Sequence, residues 1–375
     1  MRNANRIYHA KQGRKEKGAY LRYLQEVTGY KSLKTIIRKL SPKRKRAKRK
    51  RSGRRKILTT QEVDWLRELW FIMDQPCGKR MRSMLPDWLS SWEKRQTKPI
   101  PPEFTERVLS LSASTLDRVL SPFRVKSRKP APESSVAALK AAIPYVEPIL
   151  LAPEPGYLFV DTVAHCGGDM SGDFVWTLMV TDGATQYTLT EAIWNKGRYN
   201  TCKALNKLLR NLPMRKRQIN TDNGSEFINY HLQAYLKSHY KTCKITRSRP
   251  GMKNDNARAE EKNLHVVRDL VGEERFEDES LVRKLNVVYR INNILFNHFH
   301  ACSKLISRKR CGRELRKEYE EPKTPYQRLM ESLPEGRRKE TLRREHESLD
   351  PIELRERLEE ALRRFYQSLN ACSHV

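Results

Sequence analysis

The segment YLFVDTVAH, residues 157–165, is a nearly continuous apolar run that carries one aspartate, Asp161, in its middle. Runs of this kind are typical of strands that are buried on both faces of a sheet. We therefore expect a central strand. A carboxylate in such a strand is costly unless it is paired or coordinates a cation, and Asp161 is therefore the first candidate for a site residue.

The sequence around this strand alternates between β-rich and helical patterns. Two further β-rich runs, DFVWTLMVTDG and QYTLTEAIW, follow after polar turns and predict an antiparallel meander. The next predicted elements are a helix at about 200–212, a strand in QINTDNGSEF, a helix near 230–240, a brief strand in CKITRSR and a long helix at about 256–271. This order predicts an α/β, ribonuclease-H-like domain with a mixed five-stranded sheet and helices.

A second acid, Asp222, stands at the end of the fourth predicted strand, directly before Asn223-Gly224. A sharp turn there would leave its carboxylate at the exposed end of the strand. In the ribonuclease-H-like order the first and fourth strands are neighbours, which would place Asp161 and Asp222 side by side. Two adjacent carboxylates repel each other, and a divalent metal ion removes that penalty.

The third acid is expected on the last helix of this domain, in PGMKNDNARAEEKNLHVVRDL. Glu260 shares a helical face with Leu264 and Val267, the face that must pack on the sheet. Glu261 points about 100° away from that face. Glu260 is therefore the better candidate for a third metal ligand.

Three sequence blocks carry a family resemblance: VDTVAH, TDNGSEF and KNDNARAEEKN. They resemble the DDE blocks of bacterial insertion-sequence transposases in the retroviral-integrase superfamily, and the last is similar to the subgroup pattern NDNAxxExKN. That comparison independently selects Glu260. The resemblance covers about residues 157–272. It implies that Asp161, Asp222 and Glu260 are the catalytic and metal-binding residues.

By this resemblance the activity is DNA cleavage at transposon ends, followed by attack of the exposed 3′-OH on target DNA. Hard oxygen ligands favour Mg²⁺, with Mn²⁺ as a substitute, and two ions about 3.5 to 4 Å apart suit this chemistry. No nucleotide cofactor is implied, and joining two ends implies a homo-oligomer on DNA. The alternatives are a non-catalytic DNA-binding regulator on the same scaffold, which predicts loss of an acid, and a nuclease for RNA:DNA hybrids, which would not need the long amino-terminal region.

The formal net charge of +31 and a pI of about 10.0 predict a polyanionic partner, with nucleic acid as the first candidate. Residues 1–56 contain 22 Lys and Arg but only two acids. No window approaches the roughly 20 apolar residues of a membrane-spanning helix, and no secretory signal opens the chain. These features predict a cytoplasmic, nucleoid-associated protein without a membrane partner.

The amino-terminal region predicts a helix-turn-helix in residues 1–56. A helix at about 20–27, a turn at Thr28-Gly29-Tyr30 and a helix at 32–40 would bring Lys31, Lys34 and Arg38 to DNA. The basic run KRKRAKRKRSGRRK, residues 43–56, is either a flexible arm for DNA phosphates or a solvated linker. This run supplies the further candidate DNA-binding residues Lys43, Arg44, Lys45 and Arg46.

A second helical domain is predicted at 57–120. Thr59 and Glu62 form a capping box there, and further helices are expected around 81–92 and 104–109. The stretch SASTLDRVL then predicts a short helix that is either a second recognition helix or a core helix. A proline-rich linker at 121–155 follows, before the catalytic core at 156–300 and a basic, helical carboxyl-terminal region at 301–375. Beside the acids of the core, Lys253, Lys262 and Arg268 are candidate contacts to DNA phosphates.

Two features near the end of the chain have competing interpretations. In NHFHAC, His298, His300 and Cys302 form a polar helix edge or turn rather than a zinc site, because a fourth ligand is missing nearby. The seven scattered cysteines are predicted to be reduced. The last helix, which begins at Asp350-Pro351, carries an apolar stripe that packs on its own domain or, less commonly, on another subunit. The stripe consists of Leu354, Leu358, Leu362 and Phe365.

Overall fold

A computed structural model of the chain describes residues 2–40, 57–124, 154–221, 238–240, 243–247, 263–311 and 314–372. The chain divides into two compact units, Met1–Ile57 and Leu58–Val375. None of the helices in these described ranges is long and apolar enough to cross a membrane.

The first unit contains three helices, α1 (Arg2–Ala10), α2 (Arg14–Thr28) and α3 (Leu33–Leu40). Gly29 ends α2 in the left-handed conformation with φ 69°, which favours glycine, and its N–H bonds to the Gln25 carbonyl. Leu21 and Leu24 pack against Ile36 and Leu40 in a small core. The predicted pair of helices and the turn between them are therefore present, and α1 is a third helix that the sequence patterns did not indicate.

The second unit begins with four helices, α4 (Thr60–Ile72), α5 (Gly78–Glu93), α6 (Pro102–Ser110) and α7 (Ala113–Leu120). The predicted capping box is confirmed, with Thr59 and Glu62 bonding to each other's backbone N–H groups. Helix α7 approaches α5 so closely that a Cβ at Gly78 would lie 2.0 Å from the Ala113 carbonyl oxygen. The Asp117 carboxylate accepts a bond from the Gly78 N–H at 2.8 Å.

A five-stranded mixed sheet forms the centre of the second unit. Its strands are β1 (Tyr157–Ala164), β2 (Val175–Asp182), β3 (Thr188–Trp194), β4 (Gln218–Thr221) and β5 (Lys244–Arg247), in the spatial order β3-β2-β1-β4-β5. The first three strands are antiparallel, as predicted, whereas β4 and β5 are parallel to β1. Helix α8 (Arg198–Asn211) connects β3 to β4. The predicted mixed five-stranded sheet with β1 at its centre is confirmed.

The two faces of the sheet belong to different apolar cores. Leu158 and Val160 of β1 pack with α8 on one face. Val163 faces the other way and belongs to a core that also includes Val267 and Val271. This second core extends into α4–α7 and into two later helices, α10 (Ser280–Phe299) and α13 (Pro351–Cys372). Asp161 has the same strand parity as Val163 and therefore lies on this second face.

Three asparagines of α10 cover the open edge of β3. In each of Asn286, Asn293 and Asn297, the side-chain oxygen accepts a hydrogen bond from a backbone N–H of β3. The side-chain N–H of the same asparagine donates to the carbonyl of that same β3 residue. The bonded β3 residues are Ala192, Thr190 and Thr188, at distances of 2.7 to 3.1 Å. An exposed edge strand invites pairing with another chain. The side-chain amides of α10 therefore satisfy backbone N–H and C=O groups at the edge of β3, and they fix the helix to the sheet.

The last helix of the predicted core differs from its sequence pattern in the part that the structure describes. Asn263–Arg268 is π-helical and continues into a short α9 (Asp269–Val271). Asn292 of α10 is buried and donates to the Val266 carbonyl at 3.4 Å. A partner of this kind can satisfy a carbonyl that the wider turn releases. The predicted segment 256–262 and most of the predicted helix near 230–240 lie outside the described residues.

The carboxyl-terminal region contains a β-hairpin as well as helices. Strands β6 (Leu305–Cys311) and β7 (Glu314–Tyr319) pair antiparallel and precede α11 (Pro325–Ser332), α12 (Arg337–Glu347) and α13. The predicted helical tail is therefore interrupted by two strands at 305–319, close to the stretch 308–330 whose sequence pattern is extended-to-helical. A helix there would place most of six basic residues close together on adjacent turns, whereas a ribbon distributes them over two faces. Gly312, the first of the two residues between these runs in the sequence, could have indicated a hairpin.

The apolar stripe on α13 packs within its own unit. Leu354, Leu358 and Phe365 are buried against α10 and α5, and Leu362 is partly buried. The Asp350 carboxylate caps the helix by accepting bonds from the Ile352 and Glu353 N–H groups. The intramolecular interpretation of the stripe is confirmed.

Candidate active site

Asp161 lies in the middle of the central strand and is only 8% exposed. It is paired across the sheet with Met179 of β2. One carboxylate oxygen, Oδ1, accepts a bond from the Thr162 N–H at 2.9 Å. The predicted strand therefore places a carboxylate in an environment where an ionised group needs strong compensation.

The other neighbour of β1 is β4, and its register bears on the second predicted acid. Val160 pairs with Thr221, the last residue of β4. Asp222 follows Thr221 in the sequence but lies outside the described residues, as does Glu260. The structure therefore positions one of the three predicted acids and the strand that leads to a second.

A buried hydrogen-bonded chain lies on the same sheet face, beyond Asp161. His165 bonds through Nε2 to the Thr177 hydroxyl at 2.8 Å, and Thr177 bonds to the Tyr289 hydroxyl at 2.7 Å. The His165 ring stacks on Phe276 with centroids 4.6 Å apart. Burial, aided by the positive charge of Arg268, lowers the pKa of His165 to about 3. His165 is thus neutral at physiological pH. Through its bond to Thr177, and the bond of Thr177 to Tyr289, it links the end of β1 to β2 and α10.

Arg268 is the predicted DNA-contacting residue of the core that the structure describes. It ends the π-helical segment, is about one third exposed and pairs with Glu273 at 3.5 Å. Its position near His165 places a positive charge on the same side of the sheet as Asp161. The other two candidates in this region, Lys253 and Lys262, lie outside the described residues.

A second buried aspartate, Asp182, was not singled out by the sequence patterns. It ends β2 and is fully buried. Its carboxylate accepts bonds from the Gly156 N–H at 2.7 Å and from the Thr185 N–H and hydroxyl at 2.8 and 2.7 Å. Burial raises the pKa of Asp182, and these hydrogen bonds oppose that rise. The Asp182-Gly183 pair after a strand was the available signal for this turn.

The predicted DNA-binding residues of the first unit are exposed where the structure describes them. Lys31 precedes α3, and Lys34 and Arg38 lie on it, on the side away from buried Ile36 and Leu40. The four basic-arm candidates Lys43, Arg44, Lys45 and Arg46 lie outside the described residues.

The three polar residues of NHFHAC have different partners. His298 Nδ1 lies 3.1 Å from Nδ1 of His346, while the His300 ring meets Trp88 edge-on. Arg328 donates to the Cys302 sulfur at 3.2 Å. Burial lowers the pKa of His298 to about 3 and that of His300 to about 4. Within the ranges that the structure describes, no three His, Cys, Asp or Glu side chains are grouped closely enough to hold a metal ion.

Comparisons with known proteins identify the family. Residues 153–252, which include Asp161 and Asp222, match the family model of the integrase core domain. An uncharacterized protein of Sinorhizobium fredii, y4rM, is 32% identical over 262 residues, which cover 68% of this chain and 74% of that protein. The crystal structure of the catalytic core domain of BIV integrase covers 47% of this chain and 95% of its own, at 12% identity and a TM-score of 0.31, too distant to support an argument. The chain therefore belongs to the family of y4rM and contains an integrase core domain, as a DDE integrase-family transposase would.

Proposed function

We propose that this protein is a DDE transposase that cleaves transposon DNA ends and joins them to target DNA. An integrase core domain implies a polynucleotidyl-transferase-like function on DNA in general. The observation that carries the more specific proposal is the buried carboxylate of Asp161 on the central strand, beside the strand that leads to Asp222.

The register of β1 and β4 supports the pairing of the first two acids. Thr221 is paired with Val160, so a β4 that continued by one residue would bring Asp222 opposite Asp161. Equivalent positions of neighbouring strands place their side chains on the same face of a sheet. That face is the one on which Val267 and Val271 pack, at the end of the segment that follows Glu260.

The donor set of Asp161, Asp222 and Glu260 consists of carboxylate oxygens, which Mg²⁺ and Mn²⁺ prefer. The observed burial of Asp161 fits such a role, because a cation compensates the cost of a buried carboxylate. When bound, a pair of divalent ions would supply activation of the attacking oxygen and stabilisation of the leaving oxygen. The three carboxylates would hold these ions, and the rigid β1 would fix the position of Asp161. The proposed reaction uses no nucleotide cofactor.

The first unit and the basic residues of the core would hold the DNA. Helix α3 presents Lys34 and Arg38 on an exposed face after a turn at Gly29, which suits a recognition helix. Arg268, which lies on the same side of the sheet as Asp161, would contact a DNA phosphate. Since each active site processes one transposon end, we propose that a homo-oligomer assembles on DNA and acts on the nucleoid.

The experiment that tests this function compares Glu260→Gln with Glu261→Gln, a matched change one residue along the chain. Cleavage and strand transfer would be measured in Mg²⁺ on DNA that carries the ends of the protein's own element, and binding would be measured in parallel. We expect Glu260→Gln to bind DNA but to lose both reactions, and Glu261→Gln to retain them.

Three outcomes would contradict the proposal. Loss of both reactions in Glu261→Gln but not in Glu260→Gln would show that the third acid is assigned wrongly. If the wild type bound DNA without cutting it in Mg²⁺ or Mn²⁺, the protein would instead be a DNA-binding regulator. Cleavage of RNA:DNA hybrids in preference to duplex ends would favour the nuclease.

A further inference from the structure

The exposed surface of helix α3 combines apolar and basic side chains. Leu33 and Ile37 are 37% and 40% exposed, and Lys34 and Arg38 are exposed as well. Residues that are four apart in a helix lie on one line along its surface. Helix α3 therefore carries an apolar line, Leu33 and Ile37, and beside it a basic line, Lys34 and Arg38.

The directions of the two lines are fixed by the core of the first unit. Ile36 and Leu40 are fully buried against Leu21 and Leu24 of α2. Successive residues of an α-helix are about 100° apart around its axis, so the apolar and basic lines are also about 100° apart. The same geometry places the apolar line between the buried residues and the basic line.

The turn before α3 and the end of the helix are also held together. Lys39 donates to the Tyr30 hydroxyl, and its Nζ lies 4.3 Å from the centroid of the Tyr30 ring. The Gln25 side chain donates to the Lys31 carbonyl at 3.3 Å. Lys39 is thus engaged within the unit, on a different side of α3 from the basic line. The surface that remains for a partner contains both lines.

The charge of this region restricts what that partner can be. Residues 1–56 contain 22 Lys and Arg but only two acids, Glu16 and Glu26, which both lie on α2. A second copy of the unit would bring the same positive charge towards α3, so a partner with dense negative charge fits better. That partner must also offer an apolar group beside its charges, because the apolar line is part of the same surface.

We propose that α3 lies in the major groove of duplex DNA and that Ile37, together with Leu33, recognises thymine through its C5-methyl group. The major groove admits an α-helix, and the thymine methyl is the apolar group among the hydrogen-bond donors and acceptors of the base edges there. Phosphates line the walls of the groove and base edges form its floor. Two lines about 100° apart can therefore face a wall and the floor at the same time.

This arrangement divides the work between the two lines. Contacts to phosphates position a protein on DNA and supply affinity, whereas contacts to base edges specify the sequence. Lys34 and Arg38 would supply affinity, and Ile37 would determine specificity. The inference rests on the proposed function for its choice of DNA, and it adds a base that the protein prefers.

The test uses the full-length chain in EDTA. The wild type would first select its preferred duplexes from a library with a randomised centre. Each thymine of an enriched duplex would then be replaced in turn by deoxyuridine, which lacks the C5-methyl group but pairs in the same way, and binding would be measured by fluorescence anisotropy. We expect at least one thymine at which the replacement lowers the affinity of the wild type about 3- to 5-fold. Ile37→Ala should bind the thymine and deoxyuridine duplexes equally.

Two variants are matched controls. Val27→Ala shortens a side chain of α2 that is 64% exposed, and it should keep the full effect of deoxyuridine. Lys34→Ala should weaken binding to both duplexes equally and lower the slope of log K against log salt by about 0.9, the contribution of one phosphate contact. If thermal unfolding shows that Ile37→Ala is destabilised, Ile37→Val takes its place and should keep part of the preference for thymine.

Several results would overturn the proposal. These are a wild type that enriches no sequence, an enriched sequence without a sensitive thymine, and a deoxyuridine effect that is unchanged in Ile37→Ala and in Ile37→Val. An equal loss of the effect in Val27→Ala would overturn the assignment to α3. Because EDTA removes catalysis from the measurement, a protein that selects DNA but never cuts it would pass this test and fail the test of the proposed function.

Discussion

Asp161 and Asp182 are buried carboxylates on neighbouring strands of the same sheet, but their surroundings differ. Asp182 ends β2 and is held by N–H and hydroxyl groups of the adjoining turn and by the Gly156 N–H. Asp161 lies in the middle of β1, on the opposite face of the sheet, one residue beyond the pairing of Val160 with Thr221. One carboxylate organises a turn. The other lies on the strand that pairs with β4, which leads to Asp222 in the sequence.

The difference shows that burial alone does not identify a functional acid. Asp182 is the more deeply buried of the two, at 0% exposure against 8%. Their positions in the sheet distinguish the two aspartates. Asp161 lies on β1, whose pairing with β4 can bring together two carboxylates from distant parts of the sequence. Three measurements follow from this comparison.

The largest expected effect is on activity in Asp161→Asn. The amide has the shape of the carboxylate but not its charge, so the proposed metal site would lose several kcal/mol of transition-state stabilisation and at least about 10³-fold in rate. Cleavage of transposon ends in Mg²⁺ is the measurement, with urea unfolding to show that the fold is retained. Activity within tenfold of the wild type would show that Asp161 is not a residue of the active site.

The next effect is on stability in Asp182→Ala. This substitution leaves the Gly156 and Thr185 donors without their acceptor, and unsatisfied buried groups cost about 1 to 3 kcal/mol each. We expect the free energy of unfolding to fall by about 3 kcal/mol, after partial relaxation of the turn. Asp173→Ala, at an exposed position just before β2, removes one exposed bond from the Asn195 side-chain N–H and should cost less than about 1 kcal/mol. Equal stabilities of the two variants would contradict the turn-organising role.

The smallest effect concerns pH and His165, which lies on the same face of the sheet as Asp161. The pKa of His165 is about 3 in the folded protein and about 6.5 when unfolded, so the unfolded chain takes up a proton that the folded one does not. Its contribution to stability is complete above about pH 6.5 and is lost as the pH falls towards 3, at about 1.4 kcal/mol per pH unit.

Urea unfolding of the second unit at about pH 7.5 and about pH 5 would measure this loss. Replacing His165 with Gln should reduce the difference between the two conditions by about 2 kcal/mol. His9→Gln, in the first unit, is the control and should leave that difference unchanged. A His165→Gln variant with the pH dependence of the wild type would show that this histidine is not buried in its neutral form.

Local patterns predicted much of the fold. The apolar run at 157–165 indicated the central strand, the Thr59–Glu62 pair indicated the start of α4, and Gly29 indicated the turn between α2 and α3. These succeed because each depends on neighbours within a few residues. The hairpin β6–β7 was missed because its dense positive charge hides the alternation that marks a strand, and α1 because its few apolar positions make no long stripe.

By itself, the sequence determined the order of the five strands of the central sheet, the basic character of the chain and the three blocks that carry Asp161, Asp222 and Glu260. Only the tertiary structure showed that Asp182 is buried on the opposite face of the sheet from Asp161, that the amides of α10 cover the β3 edge, and that β6 pairs with β7. The physical reason is distance along the chain. Periodicity and capping act over a few residues, whereas strand register and buried hydrogen bonds join residues that can be more than a hundred positions apart.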